Sequence, residues 1–177
     1  VDDPPAGWVV ANRKKSLAVA AALLAGAPVR LDVQAGDAGW LKDAGLPIDA
    51  AAGPGITVTD RVPGDTDDLV LHPPVLAIGV GCERDTDPAE VRELVTETLA
   101  KHDLAAGAVA CVASIDVKMD EAAVNALGAA LGVPVRFFGA SALEDETPRL
   151  ANPSDVVFKE VGCHGVAEGA ALAAAGP

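Results

Sequence analysis

From residue 75 onward the chain alternates buried-type strands with amphipathic helices, joined by very short connections. "VLAIG" reads as a strand, "DPAEVRELVTETLAKH" as a helix and "VACVASI" as a second strand. A helix follows Asp120, and "VPVRFF" is the third strand. Strands joined through a helix run parallel, and such crossovers are right-handed, so few topologies remain. The expected fold class is α/β, with a mostly parallel sheet and crossover helices. Open parallel sheets bind ligands beyond the carboxyl ends of their strands. Here those ends carry "GVGCERDTD", "DVKMDE" and "GAS".

The helix boundaries have local physical signals. Asp87 stands at an N-cap, with Pro88 at the first helical position, Glu90 two residues further on, and Val91, Leu94, Val95 and Leu99 sharing a face. Asp120 reads as the next cap, with Val124, Leu127 and Leu131 as the apolar stripe and Gly132 as the stop. "SALEDE" places Ser141 and Glu144 at capping-box spacing. Two further helices are expected, one opened by "NPSD" and one from about Gly165 to Ala175.

The first part of the chain is less regular. "WVV" reads as a strand, and "NRKKSLAVAAALLAG" as a helix with Asn12 as its cap and Gly26 just past its end. Its expected stripe is Leu17, Ala20, Ala21 and Leu24. With "VRLDV" this makes a small N-terminal β-α-β subdomain. A short helix is expected around Trp40 and Leu41, then two brief strands in "ITVTD" and "LVLH". Pro cannot continue a central ladder, so His72-Pro73-Pro74 reads as a boundary between domains at 1–72 and 73–177.

Composition narrows the function classes. A net charge of −13 argues against nucleic acid, whose phosphates require many Lys and Arg contacts. Any anionic ligand must then find a locally basic pocket. The longest uncharged apolar run, "SLAVAAALLAGAPV", falls short of the roughly twenty residues that span a bilayer. Cys82, Cys111 and Cys163 are odd in number and widely spaced, which suits a reducing cytoplasm and no disulfide or structural zinc. The acidic, Pro-rich start without an initiator Met leads to the expectation of a piece of a longer protein.

"GVGCER" invites a dinucleotide reading but fails it, because Arg84 occupies the place of the third glycine. Gly79 and Gly81 are expected to permit a tight or left-handed turn whose N–H groups hold a carboxylate or oxyanion. Asp116, Lys118, Asp120 and Glu121 supply four charges where a cap needs one. Asp116 directly ends an apolar strand, so partial desolvation beside Lys118 is expected. Cys82 reads as a small turn residue, since no His is placed by sequence to activate it. Phe137 and Phe138 alternate faces, so one enters the core and the other walls a ligand pocket. Cys163 and His164 are adjacent, and neighbours of that kind rarely share a metal; no metal site is expected. On these grounds the chain is an α/β protein that binds an anionic small molecule.

"VLAIGVGCERDT", "ASIDVKMDE", "VPVRFF" with "SALE", and "NPSDVV" with "VGCHGVAEGAAL" together resemble the C-terminal domain of the cobalamin-biosynthesis CbiG proteins, the cobalt-precorrin-5A hydrolases. The same domain resembles the stand-alone CobE protein. Residues 8–72, with "NRKKSLAVAAALLAGAPVRL" and "LVLHPP", are similar to the middle part of CbiG. The resemblance implies hydrolysis of a cobalt-containing macrocycle, with opening of a δ-lactone on ring A and loss of acetaldehyde. It implies no cofactor, since the cobalt is carried by the substrate. That corrinoid carries many acetate and propionate groups. Arg84, Lys118 and the Gly79, Gly81 and Cys82 amides would receive its carboxylates, Phe138 would wall the pocket, and Asp116 or Glu121 would activate water. The family's N-terminal domain has no counterpart here, and the hydrolase is expected to need it. A non-catalytic carrier of corrinoid intermediates is the alternative. The family continues into a closing strand beyond the point where this chain stops, so an open sheet edge is expected. A homodimer or association with the N-terminal domain would cover that edge. Neither nucleic acid nor membrane is expected as a partner.

Overall fold

The computed structural model describes residues 3–49 and 53–176. The chain divides into two compact units. One runs to Val75 and takes in His102–Ala108, and the other comprises Leu76–Lys101 with the chain from Val109 onward.

The first unit contains β1 (Val9–Val10), α1 (Ser16–Leu24), β2 (Arg30–Val33), α2 (Gly39–Asp43), β3 (Gly55–Val58) and β4 (Leu69–His72). Its sheet has the order β1-β4-β3-β2, with β2, β3 and β4 parallel and β1 antiparallel to β4. β1 and β2, read from sequence as the strands of one β-α-β unit, therefore occupy opposite edges. Val19, Leu41, Ile56, Val58, Leu69 and Leu71 form its core, with Trp8 and Trp40 packed against it. The expected stripe of α1 is displaced. Leu17 and Leu24 are 76% and 90% exposed, while Val19, Ala22 and Leu23 face inward. Because α1 is apolar on all sides, periodicity cannot choose the buried face. Asn12 does not cap a helix through its side chain. Its amide donates to Asp68 O and accepts from Val70 N, both at 2.9 Å, which stitches the chain start to β4. Residues 102–108 join this unit through Val62 N donating to Asp103 O and Ala105 N donating to Asp60 O.

The second unit runs β5 (Leu76–Gly79), α3 (Pro88–Lys101), β6 (Val109–Ile115), α4 (Ala122–Leu131), β7 (Val135–Phe138), α5 (Ala140–Glu144), α6 (Asp155–Val161) and α7 (Ala167–Ala175). Its three strands are parallel in the order β5-β6-β7, as the crossover helices require. Two successive right-handed crossovers in one direction place both helices on the same face. Val91 of α3 and Ala123, Val124 and Leu127 of α4 accordingly pack with Val112, Ile78 and Phe137. The opposite face, Ala113, Ile115 and Phe138, is covered by Leu143, Cys163 and Ala170. Both phenylalanines thus belong to packed layers, one on each side.

Several signals act as read and others do not. Asp87 caps α3 by accepting from Ala89 N at 2.8 Å, and Gly132 ends α4 in the left-handed region at φ 69°. Leu94 is 63% exposed and leaves the α3 stripe. Asp120 does not cap α4, whose N-cap is Glu121 with no side-chain hydrogen bond. Ser141 lies inside α5, whose N-cap is Gly139. Ser154, from "NPSD", does cap α6 by accepting from Val157 N.

Gly79 is required by close approach and not by its backbone angle. A Cβ there would lie 1.7 Å from the carbonyl oxygen of Ala167 at the start of α7. At Gly81 the nearest atoms would be 3.5 Å away, an ordinary contact. Gly79→Ala is expected to cost the upper part of the roughly 1–3 kcal/mol typical of overpacking. Gly81→Ala should stay within about 0.5 kcal/mol of the parent. Urea unfolding of the two variants side by side checks this, and equal midpoints would show that α7 does not sit where described.

Candidate functional site

In a parallel sheet all carboxyl ends emerge on one edge. Gly79 pairs with Ala113, and Ile115 with Phe138, so the chain leaves β5, β6 and β7 on the same side of the second unit. Beside β5 lies an open groove of about 670 Å³. Its floor is aliphatic, from Val80, Val91, Leu94, Val95 and Ala167, and its rim is the 81–87 loop with Glu90. Gly79, Gly81, Cys82 and Arg84 line it, whereas Asp116, Lys118, Glu121 and Phe138 do not. Gly79 and Gly81 keep negative φ, and the loop turns left-handed at Asp85 instead, with φ 58°. Asp tolerates that region better than most residues. The buried Ser114 hydroxyl donates to Val80 O at 2.7 Å and fixes the end of β5 against β6.

Arg84 reaches from this loop to the β6 tip. Its Nη1 donates to Asp120 Oδ1 at 2.5 Å and its Nη2 donates to Val117 O. The hydrogen bond and charge of Asp120 hold the guanidinium above its ordinary pKa, and Arg84 in turn holds the Asp120 carboxyl below its own. Asp120, expected as a helix cap, is therefore the counter-ion that joins two loops. Glu83, Asp85, Asp87 and Glu90 also line the groove, so its rim is acidic and its single arginine is already neutralised.

The β6 tip forms one turn of 3-10 helix over Asp116–Lys118. Glu121 is buried at 3% exposure and faces Lys118 Nζ at 3.7 Å, with Lys118 itself 14% exposed. Asp85 N is the other donor to Glu121, at 3.4 Å. Both contacts are long for a charged group withdrawn from water. Asp116 is exposed, which overturns its expected desolvation, and the Lys118 ammonium faces Glu121 instead. Across the tip, a Cβ at Gly139 would lie 3.5 Å from Asp116 Oδ2, so this carboxylate overhangs the end of β7. Phe138 lies in the α7 layer with the Arg136 guanidinium 5.0 Å over its ring.

Sequence reasoning missed a second polar cluster. Glu144 accepts from the backbone N of His164 at 3.0 Å, and both its oxygens lie 2.9 Å from His164 Nδ1. The imidazole stacks on Phe158 with centroids 4.5 Å apart. Twenty positions separate Glu144 from His164, so no local pattern announces the pair. Among the described residues no group of three or more His, Cys, Asp or Glu is placed to hold a metal ion. No described helix is long and apolar enough to cross a membrane.

Replacing one member of the Lys118–Glu121 pair strands the other charge away from water. Lys118→Met is expected to destabilise the fold by about 3 kcal/mol, and adding Glu121→Leu should recover most of that loss. Urea unfolding of both variants measures the cycle, and simple additivity would show that the two groups do not interact.

Residues 76–177 match the family described as Cobalamin synthesis G C-terminus. Among curated proteins the chain is similar to Protein CobE of Sinorhizobium sp, 48% identical over 101 residues, which are 57% of this chain and 66% of that protein. It is also similar to the cobalt-precorrin-5A hydrolase of Priestia megaterium, 33% identical over 104 residues, 59% of this chain but only 27% of the enzyme. The crystal structure of CobE, a protein from the cobalamin (vitamin B12) biosynthetic pathway, matches with a TM-score of 0.54 at 40% identity, covering 56% of this chain and 70% of CobE. The matched family segment is more than half of the molecule and contains the whole strand edge described above, so this chain belongs to the cobalamin synthesis G C-terminus family.

Proposed function

We propose that the second unit binds a cobalt-corrinoid intermediate across the carboxyl edge of β5, β6 and β7, as part of a cobalt-precorrin-5A hydrolase. Three strands spaced about 4.8 Å apart make an edge on the order of 10 Å wide, comparable to a tetrapyrrole ring. The observation that carries the reading is Asp116, an exposed carboxylate at the middle strand tip, overhanging Gly139 on the site side of a parallel sheet. In this reading Asp116 takes a proton from the water that attacks the lactone carbonyl carbon. The carbonyl-to-ring-oxygen bond then breaks and leaves a carboxylate and an alcohol, from which acetaldehyde is subsequently released. Glu121, buried against Lys118, is a positioning residue for the turn and is too enclosed to meet the substrate.

The cations foreseen for the substrate's acids are already committed, Arg84 to Asp120 and Lys118 to Glu121. With an acidic rim as well, the β5 groove suits the apolar face of the macrocycle, with its acetates and propionates turned outward. Cys82 would touch the ligand at that end. No bound cofactor is needed, because the cobalt arrives with the substrate. Three free thiols support a cytoplasmic setting.

A non-catalytic carrier role is the second reading, favoured by the higher identity to CobE than to the hydrolase. Cobalt-precorrin-5A added to the full-length protein separates the two. The hydrolase reading expects acetaldehyde, with Asp116→Asn lowering turnover about 10²-fold or more while the visible spectrum still reports binding. Bound corrinoid without acetaldehyde supports the carrier, and absence of binding ends both. The site's position is checked by alkylation. Half-buried Cys82 should react with iodoacetamide and be protected by bound corrinoid, while Cys111 and Cys163 stay inert, the latter with its thiol pKa raised by burial. Unchanged Cys82 labelling with corrinoid bound would move the site away from β5.

A further inference from the structure

We propose that His164 is an axial ligand for the cobalt of the macrocycle, bonding it through Nε2; this rests on the corrinoid reading above. The imidazole is prepared in the manner of a metal-binding histidine. Glu144 accepts from Nδ1 with both oxygens within 2.9 Å, which fixes the proton on that nitrogen and leaves the Nε2 lone pair as the donor. A carboxylate hydrogen-bonded at Nδ1 strengthens Nε2 as a donor. The same carboxylate also accepts from the His164 backbone N, and Phe158 stacks on the ring at an interplanar angle of 24°. Ring plane, rotation and tautomer are thus all set.

A purely structural tie would use Nδ1 and bury or satisfy Nε2. Here, among the described residues, Nε2 faces Asp155 Oδ1 at 3.4 Å, longer than a good hydrogen bond, and the Asp155 side chain is 91% exposed. The His164 side chain is itself 24% exposed. Phe158, the ring stacked on the imidazole, is itself 42% exposed and offers an apolar surface beside it. Neutral imidazole is a better ligand than carboxylate for a late first-row transition metal.

The position also fits. The segment 162–167 crosses the carboxyl edge. Gly162 approaches Ala140 just beyond β7, Val166 lies against Gly81, and Ala167 lies against Gly79. His164 is carried on that strap between the two ends of the proposed site.

The test uses cob(II)inamide, a cobalt corrinoid that has no axial base of its own, with retention measured by equilibrium dialysis and coordination by electron paramagnetic resonance. Wild-type protein is expected to give a Co(II) spectrum split into three lines by one nitrogen. His164→Gln should abolish that splitting, and Glu144→Gln should weaken cobinamide binding about 10–100-fold. Asp155→Ala, which removes the competitor for Nε2, should tighten it. A metal-free corrinoid should bind wild type and His164→Gln equally. Retained cobinamide without nitrogen splitting in wild type overturns this proposal and leaves the corrinoid reading standing, as does splitting that persists in folded His164→Gln. If no corrinoid is retained at all, both fall.

Discussion

The close approach of α7 to β5 is the contact on which the second unit depends. Gly79 has no side chain, so the carbonyl of Ala167 can occupy the space that a Cβ would fill. That contact seats α7 across β5 and β6 and closes the second hydrophobic layer around Ala113, Ile115, Cys163 and Ala170. It also fixes where the chain arrives after α6. Residues 162–167 must pass over the carboxyl edge to reach Gly79, and in doing so they bring His164 to the same edge as the loops of β5 and β6. One missing methyl group thus determines both packing and the composition of the site.

Electrostatics shape the same edge. In a chain with twice as many acids as bases, 26 against 13, the cations on the β5 and β6 loops are already held by carboxylates. Arg84 is bound by Asp120, and Lys118 by Glu121. These pairs stiffen the turns and leave little free positive charge. On the function proposed above, recognition of a polyanionic ring would rest on its apolar face and its metal more than on ion pairs with its periphery. A sparse supply of cations also limits nonspecific attraction of other anions.

Much of the second unit was legible along the chain. The strand–helix alternation, the Asp87 cap, the Gly132 stop and the stripe at Val124 and Leu127 are local signals, set by hydrogen-bonding and steric preferences within a few residues. The buried face of α1 is not legible in the same way, because a helix of Ala, Leu and Val offers several apolar faces, and only contact with the sheet selects Val19 and Leu23 over Leu17 and Leu24. The placement of β1 is not local either, because a short strand carries no direction in its sequence; its antiparallel pairing with β4 is a long-range choice. The return of residues 102–108 to the first unit is likewise a matter of distant hydrogen bonds.

By itself the sequence determined the fold class, the direction of the three strands of the second unit, and hence the edge on which the polar loops gather. Crossover handedness and strand polarity follow from local chain geometry, which residue order records. Tertiary structure alone decided which charges stay free on that edge. Asp120 became the counter-ion of Arg84, Glu121 was buried and Asp116 exposed, and Glu144 met His164 from twenty positions away. Such pairings depend on which loops fold against one another in space, and the spacing of residues along the chain does not encode that.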